Sequence, residues 1–260
     1  MTSPLLQDRT YLMGYWPTED NPKRSLRYYR QLHEKSIALI SGGNLVFMSD
    51  CPDTIAATTA FAEKHDVRLH VITRAVVDLP KYPLMPKLYD LSVAFGEALP
   101  DNASKRSGDK GIIHYLRDLK GTSRETFEKV FGIWHSKIAL LDEIAKANVF
   151  ETSTFAWIDF SIARFVGKRE AWNFNLIDAA RDDAIYHYRS PMKKNGTRLP
   201  LNASCLLGQT AAIDWLNQTY DAAFKTALTE VYPNDEETVL ADVHRDNRAK
   251  FITITDEMIA

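Results

Sequence analysis

Two apolar runs in this sequence end in an acid. Asn44-Leu-Val-Phe-Met-Ser-Asp50 is one, and Thr154-Phe-Ala-Trp-Ile-Asp159 is the other. Compact apolar runs of this length read as buried parallel strands. In open parallel sheets, ligands bind beyond the carboxyl ends of the strands. A carboxylate placed there can hold a ribose hydroxyl or a divalent cation, and hard cations such as Mg²⁺ and Mn²⁺ favour oxygen ligands and bridge to phosphate. It can equally cap the segment that follows. For two such acids on one expected sheet, both readings stand.

Other chemistries lack their residues. There is no G-x-G-x-x-G and no G-x-x-x-x-G-K-[ST], so the dinucleotide and P-loop fingerprints are missing. G-x-S-x-G and H-E-x-x-H are missing too. His114, His135, His187 and His244 are dispersed, with no zinc-ligand spacing between them. A nucleotidyltransferase would call for a denser acid cluster and a glycine-rich loop at the first strand, where only Gly14 stands. Lys137 can reach a phosphate as a point charge or lie solvated on its helix. Within the basic and aromatic region Arg181 to Pro200, the stretch from Tyr186 to Arg198 can form a lid over an anion, a stacking platform or an ordinary loop.

The elements that must position these groups alternate. Tyr11 to Tyr15 reads as a first strand, and Ser25 to Leu39 as a helix with Ser25 as N-cap. A second strand runs to Asp50, and a helix from Ile55 to His65 starts at Asp53 or Thr54. Val67 to Thr73 is a third strand. Asp78 to Pro86 holds three prolines and reads as a loop, Leu88 to Leu99 as a helix, and Asp101 to Lys110 as a mobile insertion. Phe127 to Lys146 is the strongest helix, ended by Asn148, before the strand to Asp159. Gln209 to Thr229 is a further helix. Asp235, Glu236 and Glu237 open a last one, where acids suit the helix dipole. Phe251 to Thr255 is a final strand. This alternation predicts an α/β fold with a largely parallel central sheet, in a single domain spanning 1–260.

Composition narrows the partners. The chain has 260 residues, 45% apolar and 25% charged, and a formal net charge of −2. That suits one globular domain and offers no basic field for nucleic acid. Cys51 and Cys205 form no C-x-x-C pair, which argues against a disulfide framework. The opening Met-Thr-Ser-Pro-Leu-Leu-Gln-Asp-Arg does not read as a secretory signal, and no apolar run is long enough for a bilayer. A cytoplasmic location is therefore expected, and the sequons at Asn102, Asn195, Asn202 and Asn217 read as chance matches.

A longer ordered set carries a resemblance. Trp134-His-Ser-Lys-Ile-Ala-Leu-Leu141, then Asn148-Val-Phe150, then Phe155-Ala-Trp-Ile-Asp-Phe160 resembles the HtrL/YibB (WlaTC-like) family. Its members show an SK-bearing helix, an N-x-F segment and a W-I-D strand end in this order. The resemblance is sharp from about Trp134 to Asp159 and loose over most of the rest. It implies a glycosyltransferase A-type fold that takes a nucleoside-diphosphate sugar as donor and a glycan or glycolipid as acceptor, in bacterial surface polysaccharide biosynthesis. Peripheral membrane contact follows if the acceptor is lipid-linked.

The same resemblance implies roles. Residues 1–160 would form the nucleotide-sugar-binding half and 161–260 the acceptor side. Tyr11, Arg24, Asp50, Lys137 and Gln209 would face the donor. Asp159, with His244, would hold Mn²⁺ or Mg²⁺. Asp235 or Glu236 would be the base that deprotonates an acceptor hydroxyl. Ser161 stands where a D-x-D pair would have its second acid. That leaves single-acid metal binding, metal-independent transfer and a non-catalytic nucleotide- or glycan-binding relative all open.

Overall fold

The computed structural model describes residues 4–21, 23–166 and 172–259. After a one-turn helix α1 (Pro4–Gln7), strands β1 (Arg9–Gly14), β2 (Asn44–Ser49) and β3 (Arg68–Thr73) alternate with helices α2 (Leu26–Ala38) and α3 (Pro52–Lys64). Helices α4 (Met85–Glu97), α5 (Lys110–His114) and α6 (Arg124–Ala147) follow, with a π-helical turn at Tyr115–Leu119 joined to α5. The second half holds β4 (Thr154–Ile158), β5 (Ile185–Tyr188) and the small ribbon β6 (Lys193–Lys194) and β7 (Thr197–Arg198). It continues with β8 (Asn202–Gln209), α7 (Thr210–Ala227), α8 (Glu236–Asp246) and β9 (Phe251–Thr253).

Seven strands form one sheet in the order β3-β2-β1-β4-β8-β5-β9. The α/β class and the largely parallel sheet hold: β1 pairs in parallel with β2 and β4, β2 with β3, and β5 with β9. β8 is the exception, running antiparallel to both β4 and β5. It takes in the segment Ala203–Gln209, for which the resemblance implies closure over the donor sugar, and the structure places that segment inside the sheet.

Side chains along the central strands alternate between two cores. Leu12, Val46, Met48, Phe155, Trp157 and Leu206 face α4, α6, α7 and α8. Tyr11, Met13, Leu45, Phe47, Ile158 and Leu207 face α2 and α3. Both faces are covered, which is why these strands read as unbroken apolar runs rather than as alternating ones. β3 at the edge keeps a half-exposed pattern.

Caps mark the helix ends near the site. Ser25 caps α2, Ser123 caps α6, which begins at Arg124, three residues before the expected start, and Asn148 ends α6 in the left-handed region at φ 41°. The expected mobile insertion at 101–110 is anchored at its end. Asp109 caps α5, accepts from the Asn195 amide at 2.7 Å and takes the Tyr232 hydroxyl at 3.0 Å.

Candidate active site

β1 and β4 are neighbours in the sheet, but the chain leaves β1 toward β2 on the opposite side from β4. This is a topological switch point, where a crevice opens beyond the carboxyl ends of the strands. A cleft of about 360 Å³ lies there, lined by Gly14 at the end of β1 and Asp159 after β4, and by residues from both sides of position 160. Gly14 is required: a Cβ on it would fall 2.6 Å from the Trp16 ring, which turns back over the strand end.

Asp159 is fully engaged. Its Oδ1 accepts from Lys137 Nζ at 3.0 Å and from the Trp157 indole at 3.1 Å, and its Oδ2 accepts from Arg164 at 2.8 Å. Burial raises its pKa, but Lys137 and Arg164 together outweigh that and hold the carboxyl well below its usual range. Lys137, deep in α6, spends three donor contacts, on Asp159, on Glu236 Oε1 at 2.8 Å and on the Ala203 carbonyl at 3.3 Å. Ser161 carries no charge between its neighbours; its hydroxyl accepts from Arg164 at 2.7 Å and from Arg24 at 3.3 Å.

The acids that open α8 divide their work. Asp235 is the N-cap, accepting from the Thr238 amide at 2.9 Å, and its other oxygen meets Lys110 and His114. Burial opposes its ionisation, but Lys110 and His114 prevail and hold it well below the carboxylate range. Glu237 accepts from Ser190 at 2.8 Å and lies 2.8 Å from Lys110. Glu236 differs, because its Oε2 is buried without a hydrogen-bond partner among the described residues. Burial, aided by Asp235 and opposed by Lys137, raises its pKa. Of the three acids, Glu236 is therefore the one with an oxygen free to take a proton.

The mouth of the cleft is basic and aromatic. Lys23 and Arg24 sit on the loop after β1, where Lys23 Nζ lies 4.4 Å from the Trp134 ring and the Arg24 guanidinium 5.3 Å from the Tyr28 ring. Neither makes an ion pair among the described residues. Desolvation first, then the charges of Arg117 and Arg24, lower the Lys23 pKa to about 7. Tyr15 stacks on Phe160 at 4.0 Å and adds a flat wall.

The residues singled out in sequence are thus only partly brought together. Arg24, Lys137, Asp159, Asp235 and Glu236 line the cleft. Tyr11 lies under the sheet, its hydroxyl 3.4 Å from Arg9. Asp50 is exposed beyond β2, and Gln209 donates to the Ala179 carbonyl at 3.0 Å. His244 packs on Phe251 and His187, away from the cleft. Of the stretch from Tyr186 to Arg198, Ser190, Pro191 and Met192 reach the cleft wall, while Tyr186 is in the buried core. Sequence reading passed over Lys23, Arg117, Arg164 and Lys110. The adjacent Lys23-Arg24 pair after the first strand was the available signal.

The donor set does not suit a divalent ion in this arrangement. Both Asp159 oxygens are taken by cations, and among the described residues no three His, Cys, Asp or Glu side chains converge for a metal. An ion seated at 2.0–2.6 Å from oxygen, as Mg²⁺, Mn²⁺ or Ca²⁺ would require, has to displace Lys137 or Arg164.

No protein-family model matches the sequence, and a search of curated proteins finds no match. Solved structures similar to this chain include transferases. One is described as a transferase, at 10% identity and a TM-score of 0.47, covering 97% of this chain and 92% of its own. Another is core-mannan synthase A from Aspergillus fumigatus in its Mn/GDP form, at 9% identity and a TM-score of 0.48, covering 94% and 72%. A third is a transferase mutant at 11% identity and a TM-score of 0.42, covering 92% and 85%.

Proposed function

We propose that this protein is a glycosyltransferase that moves a sugar from a nucleoside-diphosphate donor to a hydroxyl of a glycan or glycolipid acceptor, as the HtrL/YibB resemblance implies. The acceptor class we assign on that resemblance is a bacterial surface polysaccharide. The observation that carries the reading is the pairing, in one switch-point cleft, of Lys23 and Arg24, which form no ion pair among the described residues, with the uncommitted Oε2 of Glu236.

The chemistry needs two things of the protein. A base must take the proton of the attacking hydroxyl, and positive charge must meet the departing diphosphate. Glu236 Oε2 takes the proton while Lys137 holds Oε1 and fixes the side chain. The acceptor oxygen bonds to the anomeric carbon. The carbon–oxygen bond to phosphate breaks, and its electron pair leaves with the nucleoside diphosphate. Aromatic faces at Tyr15, Tyr28 and Trp134 can stack a base or a sugar ring.

The test is nucleoside diphosphate release from a panel of nucleotide sugars, by wild type and by Glu236→Gln. Release by wild type that falls in the variant supports transfer with Glu236 as base. A second reading, a non-catalytic binder, has one observation in its favour: Asp159 and Lys137 are wholly engaged with each other and their neighbours. Binding of a nucleotide sugar with no release under any acceptor condition selects it. Neither binding nor release sinks both readings.

A further inference from the structure

Resting on the reading just given, we propose that the cleft seats the donor's diphosphate on Lys23 and Arg24 without a divalent ion, Lys137 and Arg164 occupying the Asp159 oxygens that a metal would need.

Three observations converge. First, the carboxylate oxygens of Asp159, the acid expected to hold a metal, are already taken by cations of the chain. Lys137 Nζ lies 3.0 Å from Asp159 and 2.8 Å from Glu236, and Arg164 closes the other Asp159 oxygen at 2.8 Å. Second, the residue where a second metal-binding acid would be expected is Ser161, whose hydroxyl sits between Arg164 and Arg24. A carboxylate there could bridge to a metal; a hydroxyl between two guanidinium groups cannot supply its charge. Third, the remaining cations are sorted by partner. Lys110 is matched by Asp235 and Glu237, and Arg117 by Asp118. Lys23 and Arg24 form no ion pair among the described residues and line the cleft mouth. Half-buried cations in one cleft that form no ion pair among the described residues suit a polyanion.

The surroundings of Lys23 add a proton to this account. It faces Arg24 on its own loop, Arg117 and Asp118 on the π-helical turn, Lys110 on α5 and the Trp134 ring on α6. Crowded by like charge and partly desolvated, it is partly neutral near pH 7. A diphosphate arriving beside it favours the charged form, so binding above neutral pH takes up a proton at Lys23.

The experiment is calorimetric titration of UDP, GDP and inorganic pyrophosphate into the purified protein, in EDTA and in Mn²⁺. The expected result is binding in EDTA that Mn²⁺ changes by less than about threefold. It should weaken roughly tenfold or more in Lys23→Ala and in Arg24→Ala, the range for a charge-assisted contact. At pH 8, titrations in buffers of different ionisation heat should show proton uptake in wild type that disappears in Lys23→Arg, which keeps the charge at all pH values. The thermal midpoints of the variants serve as folding controls.

Binding that requires Mn²⁺ overturns this inference and leaves the glycosyltransferase reading standing. EDTA-resistant binding indifferent to both alanine variants also overturns it, because the anion then sits elsewhere. No binding of any diphosphate in either buffer overturns it together with the donor-binding reading.

Discussion

Lys137 and Glu236 are 99 residues apart in sequence, and Lys137 Nζ lies 2.8 Å from Glu236 Oε1. The contact joins the middle of α6 to the first turn of α8, and through Asp159 it reaches the end of β4. One buried ammonium thereby orients two carboxylates and leaves a single oxygen of Glu236 uncommitted.

That arrangement separates Glu236 from Asp235 in experiment. Glu236→Gln should lower turnover by about 10²–10⁴-fold, the usual worth of a general base, with donor affinity nearly unchanged. Asp235→Asn should act chiefly on stability, because it leaves Lys110 and His114 facing an uncharged amide. Steady-state kinetics paired with urea unfolding of both variants checks the split. Equal loss of turnover with no loss of stability in Asp235→Asn would reverse the assignment.

Removing Lys137 should be costly for a related reason. Lys137→Met strands Glu236 as a buried acid without its counter-charge, and breaking a buried pair costs about 3–5 kcal/mol. The double variant Lys137→Met with Glu236→Gln should recover part of that loss, since the stranded charge is gone. Urea unfolding of the two single variants and the double one measures the coupling.

Three histidines predict how the fold responds to acid. His33, His135 and His187 are buried, and desolvation lowers each pKa from 6.5 to about 4. The unfolded chain takes up their protons first as pH falls below 6.5. Their contribution to stability is therefore complete above that pH and is lost as pH falls toward 4. At pH 5 the loss approaches about 2 kcal/mol per histidine. Unfolding free energies at pH 7.5 and pH 5 test this, and a flat profile between them would contradict it.

Gly96 should not tolerate a methyl group. A Cβ there would lie 1.7 Å from the Tyr115 ring, where α4 packs on the π-helical turn. Gly96→Ala gains helix propensity but overfills the contact, so a net loss of about 1–3 kcal/mol is expected. A thermal midpoint equal to or above that of wild type would show that Tyr115 swings away freely.

Much of the fold was legible locally. The runs to Asp50 and Asp159 announced β2 and β4, and the helix ended by Asn148 and the capping acids at Asp235 were readable within a few residues. β8 was not, because Asn202-Ala-Ser-Cys mixes small and polar groups and becomes a strand only between β4 and β5. The joined α5 and π-helical turn escaped for a similar reason. It is two short pieces whose ends are held by distant partners, Tyr232 and Asp235 among them.

The site divides along the same line. Sequence alone determined the alternating elements, the acid at the end of β4, the Lys137 helix and the acids that open α8, because periodicity, strand ends and caps are short-range properties. Only the tertiary structure decided which groups meet. It brought Lys110 to Asp235 across 125 residues, placed Arg164 on Asp159, and left Tyr11, Gln209 and His244 away from the cleft. Such pairings depend on strand order and helix packing, and residue type and local spacing do not specify either.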